Sequence, residues 1–229
     1  MREMLRPRTV AERNARLVAR LREDGSIRSP SVEAAFLAVP RHLFLPHVRL
    51  AEVYRDHAIA LKSQNGVQVS SSSQPAIMAE MLERLQLRPG QRVLEIGAGS
   101  GYNAALISHL VGQAGFVATI EIDPGLADTA RIHLAAAGQA SVRVICADGV
   151  EGDADDAPFD ALIATAGVAT IPQAWIEQVR FGGRLIVPLV RRFPKVVTFE
   201  RAPDGLRAES SLDGIFVMLR SPRPGGISS

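Results

Sequence analysis

The stretch Val93-Leu94-Glu95-Ile96-Gly97-Ala98-Gly99-Ser100-Gly101 decides the fold. A short apolar strand runs into three glycines at alternate positions, and a helical segment opens at Tyr102. Such a turn permits positive φ and lets a ligand approach backbone N–H groups at a helix start. A dinucleotide-binding turn wants a further glycine at its sixth position for close helix–strand packing, and Tyr102 stands there instead. Glu95, just before the loop, would repel a pyrophosphate and suits a cationic group. The loop therefore argues against NAD.

Outward from this loop, short apolar segments alternate with helical ones. Strands are expected at 93–96, 117–120, 142–145, 161–165, 185–187, 196–200 and 214–219. Alternation through the first five implies right-handed crossovers and a parallel sheet covered on both faces. No helix separates the last two, and Ala202-Pro203-Asp204-Gly205 reads as a turn, so the C-terminal edge is expected to be an antiparallel hairpin. The fold class is α/β: a Rossmann-like, mostly parallel seven-stranded sheet with helices on both faces.

Ahead of the sheet, Leu17, Val18 and Leu21 recur at helical spacing, as do Val32, Ala35 and Phe36, which predicts a helical cap. Pro40 and Pro46 bracket an apolar turn that cannot be one long helix. Residues 62–73, with Asn65-Gly66 and the run Ser70-Ser71-Ser72-Ser73, read as a loop. A helix follows over 74–87 with Pro75 in its first turn. A chain of 229 residues suits one domain. Its expected parts are a cap and substrate-side loop over 1–73, a cofactor-binding core over 74–200, and an edge strand with a frayed tail over 201–229.

Apolar residues at 47% and charged residues at 22% leave material for a core and exclude a disordered chain. No run approaches a membrane span, and residues 1–6 are charged with no apolar core behind them, so the expected compartment is the cytoplasm. Cys146 is the sole cysteine, which excludes an internal disulfide; inside a predicted strand it is expected to be buried. Basic residues number 26 against 24 acidic, for a net charge of +2. They are spread along the chain apart from Arg191, Arg192 and Lys195, so nucleic acid is not an expected partner. His42, His47, His57, His109 and His133 show no metal-ligand spacing, and no metal is expected. Trp175 is read as core.

Glu121 ends the second strand of the parallel series, where nucleotide folds use an acid to bind ribose hydroxyls. Asp148-Gly149 ends the third and could accept an adenine amino group. Each acid alone reads equally as a helix cap. Taken together with the glycine loop, Glu95, Glu121 and Asp148 describe a crevice for a nucleoside that carries positive charge and no phosphate. S-adenosylmethionine fits that description.

Several separate motifs resemble one family. Val39-Pro40-Arg41-His42-Leu43-Phe44 is similar to a VPRxxF segment, and Tyr54-Arg55-Asp56 to a YxD. Ser73-Gln74-Pro75 is similar to an S-[AQ]-P motif, and Gly182-Gly183-Arg184-Leu185-Ile186-Val187-Pro188 to a GGRLxxP strand. With the cofactor loop, these resemble the protein-L-isoaspartate O-methyltransferase family of class I methyltransferases over roughly residues 30–220. The resemblance implies S-adenosylmethionine-dependent methylation of isoaspartyl or aspartyl carboxylates in proteins or peptides. It puts Ser73 at the active site with Asp56 beside it. It implies that Glu95, Gly97, Gly99, Gly101, Glu121 and Asp148 hold the cofactor, together with Ser73, Gln74, Ala98, Ser100, Gly149 and Thr165. A monomer is expected.

The chain also departs from the family pattern. Ser71-Ser72 replaces a Thr-Ile, residues 189–195 replace a glycine-rich stretch, and Val217-Met218-Leu219 replaces a Val-Pro-Leu. The serine run resembles members that methylate aspartate in ribosomally made peptides, the alternative substrate. A cofactor-binding adaptor without catalysis is the alternative outside enzymes.

A carboxylate nucleophile, with a reference pKa of roughly 4, is ionised at neutral pH and needs no strong base. Catalysis then rests on orientation and removal of water. Ser73 could donate a hydrogen bond to the carboxylate or cofactor; standing before Gln74-Pro75, it also reads as a helix N-cap. Asp56 reads either as a residue ordering the loop over the site or as a plain turn acid.

Overall fold

Thr9 opens the first helix with a reciprocal cap: its hydroxyl accepts the Glu12 N–H at 3.1 Å, and the Glu12 carboxylate accepts the Thr9 N–H at 3.2 Å. The computed structural model describes residues 9–190 and 192–221. Arg191 and the expected tail over 222–229 lie outside the described residues. Helix α1 (Val10–Glu23) buries Leu17, Val18 and Leu21, and α2 (Pro30–Ala38) buries Val32, Ala35 and Phe36. Asn14 donates to the carbonyls of Phe36 and Leu37, which ties α1 to the end of α2. A 3₁₀ turn (Arg41–Phe44) and the short α3 (Leu50–Val53) complete the cap.

Residues expected as a loop form instead a two-stranded antiparallel ribbon, β1 (Ile59–Gln64) and β2 (Val67–Ser72). Asn65-Gly66 at its tip has φ of 51° and 78°, the doubly positive geometry of a tight hairpin turn. The strands are polar because much of their surface is exposed, and that polarity hid them.

Helix α4 (Pro75–Leu85) leads into the main sheet. The order is then β3 (Arg92–Ile96), α5 (Tyr102–Val111), β4 (Phe116–Glu121), α6 (Pro124–Ala136), β5 (Arg143–Cys146), β6 (Phe159–Ala164), α7 (Gln173–Gln178), β7 (Val179–Leu189), β8 (Lys195–Ala202) and β9 (Gly205–Asp213). The strands lie in the order β5-β4-β3-β6-β7-β8-β9, the first five parallel and the last two antiparallel. The chain winds outward from β3 through β4 to β5, then returns to β6 on the other side of β3. The crevice of such a sheet opens at the carboxyl ends of β3 and β6, where the order switches.

Period-two alternation divides the core. Val93, Ile163 and Ile186 pack on the face covered by the cap, α4 and α5, while Leu94, Ile96, Leu162 and Leu185 pack on the other face with Trp175 of α7. Trp175 is fully buried, as expected of a core residue.

Two expectations need correction. The last strand is Gly205–Asp213, because the chain turns tightly from Ala202, paired with Gly205, and pairs immediately with β8. The apolar run at 214–219 is no strand; it returns to the crevice, where Gly167 N–H donates to Val217 O and Leu219 N–H to Gly167 O, each at 2.8 Å. Cys146 is exposed rather than buried, since it ends the edge strand β5.

Candidate active site

The glycine loop runs with φ of 100° at Gly97, 52° at Gly99 and 87° at Gly101, and the N–H groups of Gly97 and Ala98 both reach the Ile120 carbonyl. Thr165, just past β6, clamps the loop from the far side: its hydroxyl bonds the carbonyls of Gly97 at 2.7 Å and Ile96 at 3.1 Å. A Cβ on Gly97 would stand 2.5 Å from that oxygen. One on Gly149 would stand 2.7 Å from the Ile96 side chain. The crevice floor is therefore backbone at these points, as a flat, closely held nucleoside requires.

The three acids have different placements. Glu121 lies on the cleft wall, where its carboxylate accepts the N–H of Gly99 at 3.0 Å and of Asp123 at 3.1 Å. Asp148 caps the short turn Gly149–Glu151 through the Val150 N–H at 3.0 Å and accepts the Ser221 hydroxyl. Gly149, whose carbonyl accepts the Trp175 indole N–H at 2.8 Å, is the member of that pair on the cleft wall. Glu95 lies one layer behind the loop and is wholly buried, accepting Asn103 Nδ2 at 2.7 Å and Thr119 Oγ1 at 2.5 Å. Burial pushes its carboxyl up to about 7, although both hydrogen bonds pull the other way.

Ser73 follows directly on the ribbon, and the extended chain alternates there. Ser70 and Ser72 are buried, while Ser71 and Ser73 line an outer groove with Gln74, Ile77 and residues 213–216. Ser73 also lines a narrow pocket with Ala98, Ser100 and Asn103, and Ser71 is shared with the cofactor cleft. The capping role open to Ser73 is overturned. The N-cap of α4 is Gln74, and the first-turn donor Ala76 N–H goes to Asp56 Oδ1 at 2.8 Å while Asp56 Oδ2 takes Gln74 Nε2 at 2.8 Å. Asp56 fills the capping position that the sequence left open to Ser73.

Sequence reasoning missed two features. One is the ribbon itself, which roofs the cleft: a Cβ on Gly99 would stand 3.3 Å from Leu61 and 3.5 Å from the Ser71 carbonyl. Lys62 on β1 is ion-paired with Asp123, whose carboxyl caps α6 and is held below the usual range chiefly by that lysine. The signal was Asn65-Gly66. The other is Arg41, a fully buried arginine whose signal was a charge inside an apolar turn.

A glycine loop after β3, an acid at the end of β4 and a crevice at the switch point define a class I S-adenosylmethionine-dependent methyltransferase. The model of the family described as Protein-L-isoaspartate(D-aspartate) O-methyltransferase (PCMT) matches residues 12–223. The protein-L-isoaspartate O-methyltransferase of Methanopyrus kandleri is 40% identical over 192 residues, 83% of each chain; that of Leptothrix cholodnii is 39% identical over 90% of this chain and 73% of its own. A solved protein-L-isoaspartate O-methyltransferase superposes with a TM-score of 0.84 at 32% identity, over 93% of this chain and 67% of the other. A Plasmodium falciparum structure described as a putative enzyme of this kind, in complex with S-adenosyl-L-homocysteine, shares the fold at a TM-score of 0.78 and 20% identity, over 90% of this chain and 98% of the other. The chain belongs to the protein-L-isoaspartate O-methyltransferase family.

Proposed function

We propose that the protein methylates the side-chain carboxylate of L-isoaspartyl residues in proteins or peptides, with S-adenosylmethionine as donor. The observation that carries this reading is the meeting of two openings at one strand end: the cofactor cleft and the outer groove share Ser71, and Ser73 stands between the groove and the narrow pocket beside the glycine loop.

The residues fit the cofactor. Gly97, Gly99 and Gly149 keep this part of the cleft as bare backbone, since a Cβ there would press on Thr165, Leu61 or Ile96, and Glu121 offers a carboxylate suited to two adjacent hydroxyls. Ala98, Ser100, Gly101 and Thr165 shape the loop, Gly149 forms the adenine side, and Asp148 holds Gly149 in place. Glu95 acts from behind, orienting Asn103 and supplying negative charge to a cationic ligand. When bound, S-adenosylmethionine supplies a methyl group on a sulfonium, which the substrate carboxylate takes in one in-line displacement while the C–S electron pair stays on sulfur.

The protein's own work is orientation and exclusion of water. Ser73 donates to the substrate carboxylate, Asp56 holds the Ser73–Gln74 corner, and the ribbon covers the cleft. Alignment of this kind can lower a barrier by roughly 7–11 kcal/mol. No residue has to remove a proton, since the nucleophile is already an anion. We read the enzyme as a monomer acting in the cytoplasm; among the described residues, no helix is long and apolar enough to cross a membrane.

Methyl transfer from labelled S-adenosylmethionine to an isoaspartyl peptide, run beside its aspartyl counterpart, tests this reading. Transfer to the isoaspartyl peptide alone is expected. Preference for the aspartyl peptide would indicate a dedicated peptide modifier, and transfer to neither would leave a binding protein.

A further inference from the structure

Arg41 is the second-largest fully buried side chain among the described residues, after Trp175, and it forms no ion pair there. Its two terminal nitrogens are spent on oxygens instead, while its buried Nε has no hydrogen-bond partner among the described residues. Nη1 donates to the carbonyls of Val53 at 3.0 Å and Arg55 at 3.3 Å. Nη2 donates to the His57 carbonyl at 3.3 Å, the Ser72 hydroxyl at 3.3 Å and the Ser73 carbonyl at 3.0 Å. Its Cζ also lies 5.9 Å from the ring centroid of Tyr102, the first residue after the glycine loop. One planar cation thus joins three segments: residues 53–57 that carry Asp56, the strand end that carries Ser73, and the helix start that follows the cofactor loop.

A buried charge of this kind is costly. Desolvation lowers the affinity of the Arg41 guanidinium for its proton, and the nearby Tyr102, Asp56 and Tyr54 offset this only in part, none of them as an ion-pair partner. Removing it would leave the carbonyls of Val53, Arg55, His57 and Ser73 without this donor, so Arg41 supports the fold as well as shaping it. What only a forked donor can do is fix several carbonyls of separate loops at set distances. Asp56 reaches Ser73 only through its neighbours, by accepting from Gln74 Nε2 and the Ala76 N–H. The helix after Ser73 takes its cap from Asp56, and the ribbon that stops just before it belongs to no larger sheet.

We propose that Arg41 is a positioning residue for methyl transfer: by holding the Ser73 carbonyl, the Ser72 hydroxyl and the backbone on both sides of Asp56, it sets the distance between the nucleophile site and the cofactor loop. The proposal rests on the reading of Ser73 as part of that site. Arg41 touches neither substrate nor cofactor in this assignment; it acts through Ser73.

The test uses Arg41→Lys and Arg41→Ala in the full chain, with turnover, the KM for each substrate, and amide hydrogen exchange read on the same preparations. In Arg41→Lys, kcat falls on the order of 100-fold, as expected of a reacting group displaced by about 1 Å, while the KM for S-adenosylmethionine changes little. Exchange rises at residues 71–76 and stays at the wild-type level in α5. In Arg41→Ala, millimolar methylguanidinium, filling the vacated space, restores turnover and protection together, whereas methylammonium does not. If Arg41→Ala fails to fold, Arg41→Lys alone carries the test. A folded Arg41→Lys protein with wild-type kcat, or with unchanged exchange over 71–76, overturns the assignment. A wild type inactive toward the isoaspartyl peptide sinks the reaction reading alone, and the exchange comparison still decides whether Arg41 holds Ser73.

Discussion

Asp56 caps a helix to which it does not belong: its Oδ1 accepts the Ala76 N–H at 2.8 Å from a position twenty residues earlier in the chain. Its other oxygen holds the Gln74 side chain, so the corner that presents Ser73 is fixed from outside the helix. This separates two residues whose roles are alike on sequence. Asp56→Ala is expected to lower stability by about 0.5–2 kcal/mol, the usual loss for a removed cap. Ser73→Ala is expected to change it by about 0.5 kcal/mol or less while reducing kcat. Urea unfolding and turnover on both variants check the division. Equal stability losses would return the capping role to Ser73.

Glu121 accepts the Gly99 N–H from the cleft wall, so it is already aimed at the loop that the cofactor must approach. Replacing it with alanine removes a charged acceptor, and S-adenosylmethionine should bind about 1.5–3 kcal/mol more weakly. Calorimetry on Glu121→Ala and Glu121→Gln measures this, with the isosteric variant recovering part of the loss. An unchanged dissociation constant would confine Glu121 to holding the loop.

The buried Glu95 carboxyl supplies a pH dependence whose sign is fixed by its surroundings. Its folded-state value of about 7 stands above the 4.5 of an ordinary glutamate, so the folded protein holds this proton more tightly than the unfolded chain does. The group's contribution to stability is therefore full below about pH 4.5 and is lost as pH rises to about 7, on the order of 3 kcal/mol in all. Binding follows the opposite trend. A cationic ligand favours the ionised carboxylate, so S-adenosylmethionine affinity should climb through the same window. Titrating both quantities in wild type and Glu95→Gln is the check, and a variant that keeps both slopes would remove Glu95 as their source.

Lys62 joins the ribbon to the N-terminal end of α6 through Asp123, and its own side chain is nearly half exposed. A pair of this exposure contributes only about 0–1 kcal/mol to global stability. Lys62→Met should accordingly leave the melting temperature almost unchanged, yet it should speed cofactor dissociation several-fold, because the roof opens more often. Stopped-flow displacement of bound cofactor by excess product reads the rate. An unaltered off-rate would mean that the cofactor leaves by another side.

The parallel half of the sheet was legible in the sequence because buried strands write themselves as apolar runs separated by helices, as around Val93, Val117 and Leu162. The loop from Gly97 to Gly101 was legible for a different reason, since only glycine tolerates those backbone angles at such close approach. The ribbon was not, because Lys62, Ser63 and Gln64 spend much of their surface on solvent and carry no apolar alternation. The return of residues 214–219 to the crevice was misread for the converse reason: Ile215, Phe216 and Leu219 have strand composition, but the hairpin register left them outside the sheet. Arg41 and Asp56 are polar residues whose partners lie twelve to thirty-two positions away, and no local pattern shows such distances.

The cleft wall draws on both early and late parts of the chain. Ser70 and Ser71 come from the first third, the glycine loop and Glu121 from the middle, and residues 217–220 only near the far end, held by the two hydrogen bonds between Gly167 and the backbone at 217 and 219. During synthesis the central sheet can therefore assemble around β3 well before any complete cofactor chamber exists. A ribosome-bound chain that has not yet extruded residue 220 would carry the loop without its enclosure. An unfinished or prematurely ended polypeptide would therefore carry the glycine loop and Glu121 but lack the wall that residues 217–220 add, and is expected to hold the methyl donor more weakly than the full chain.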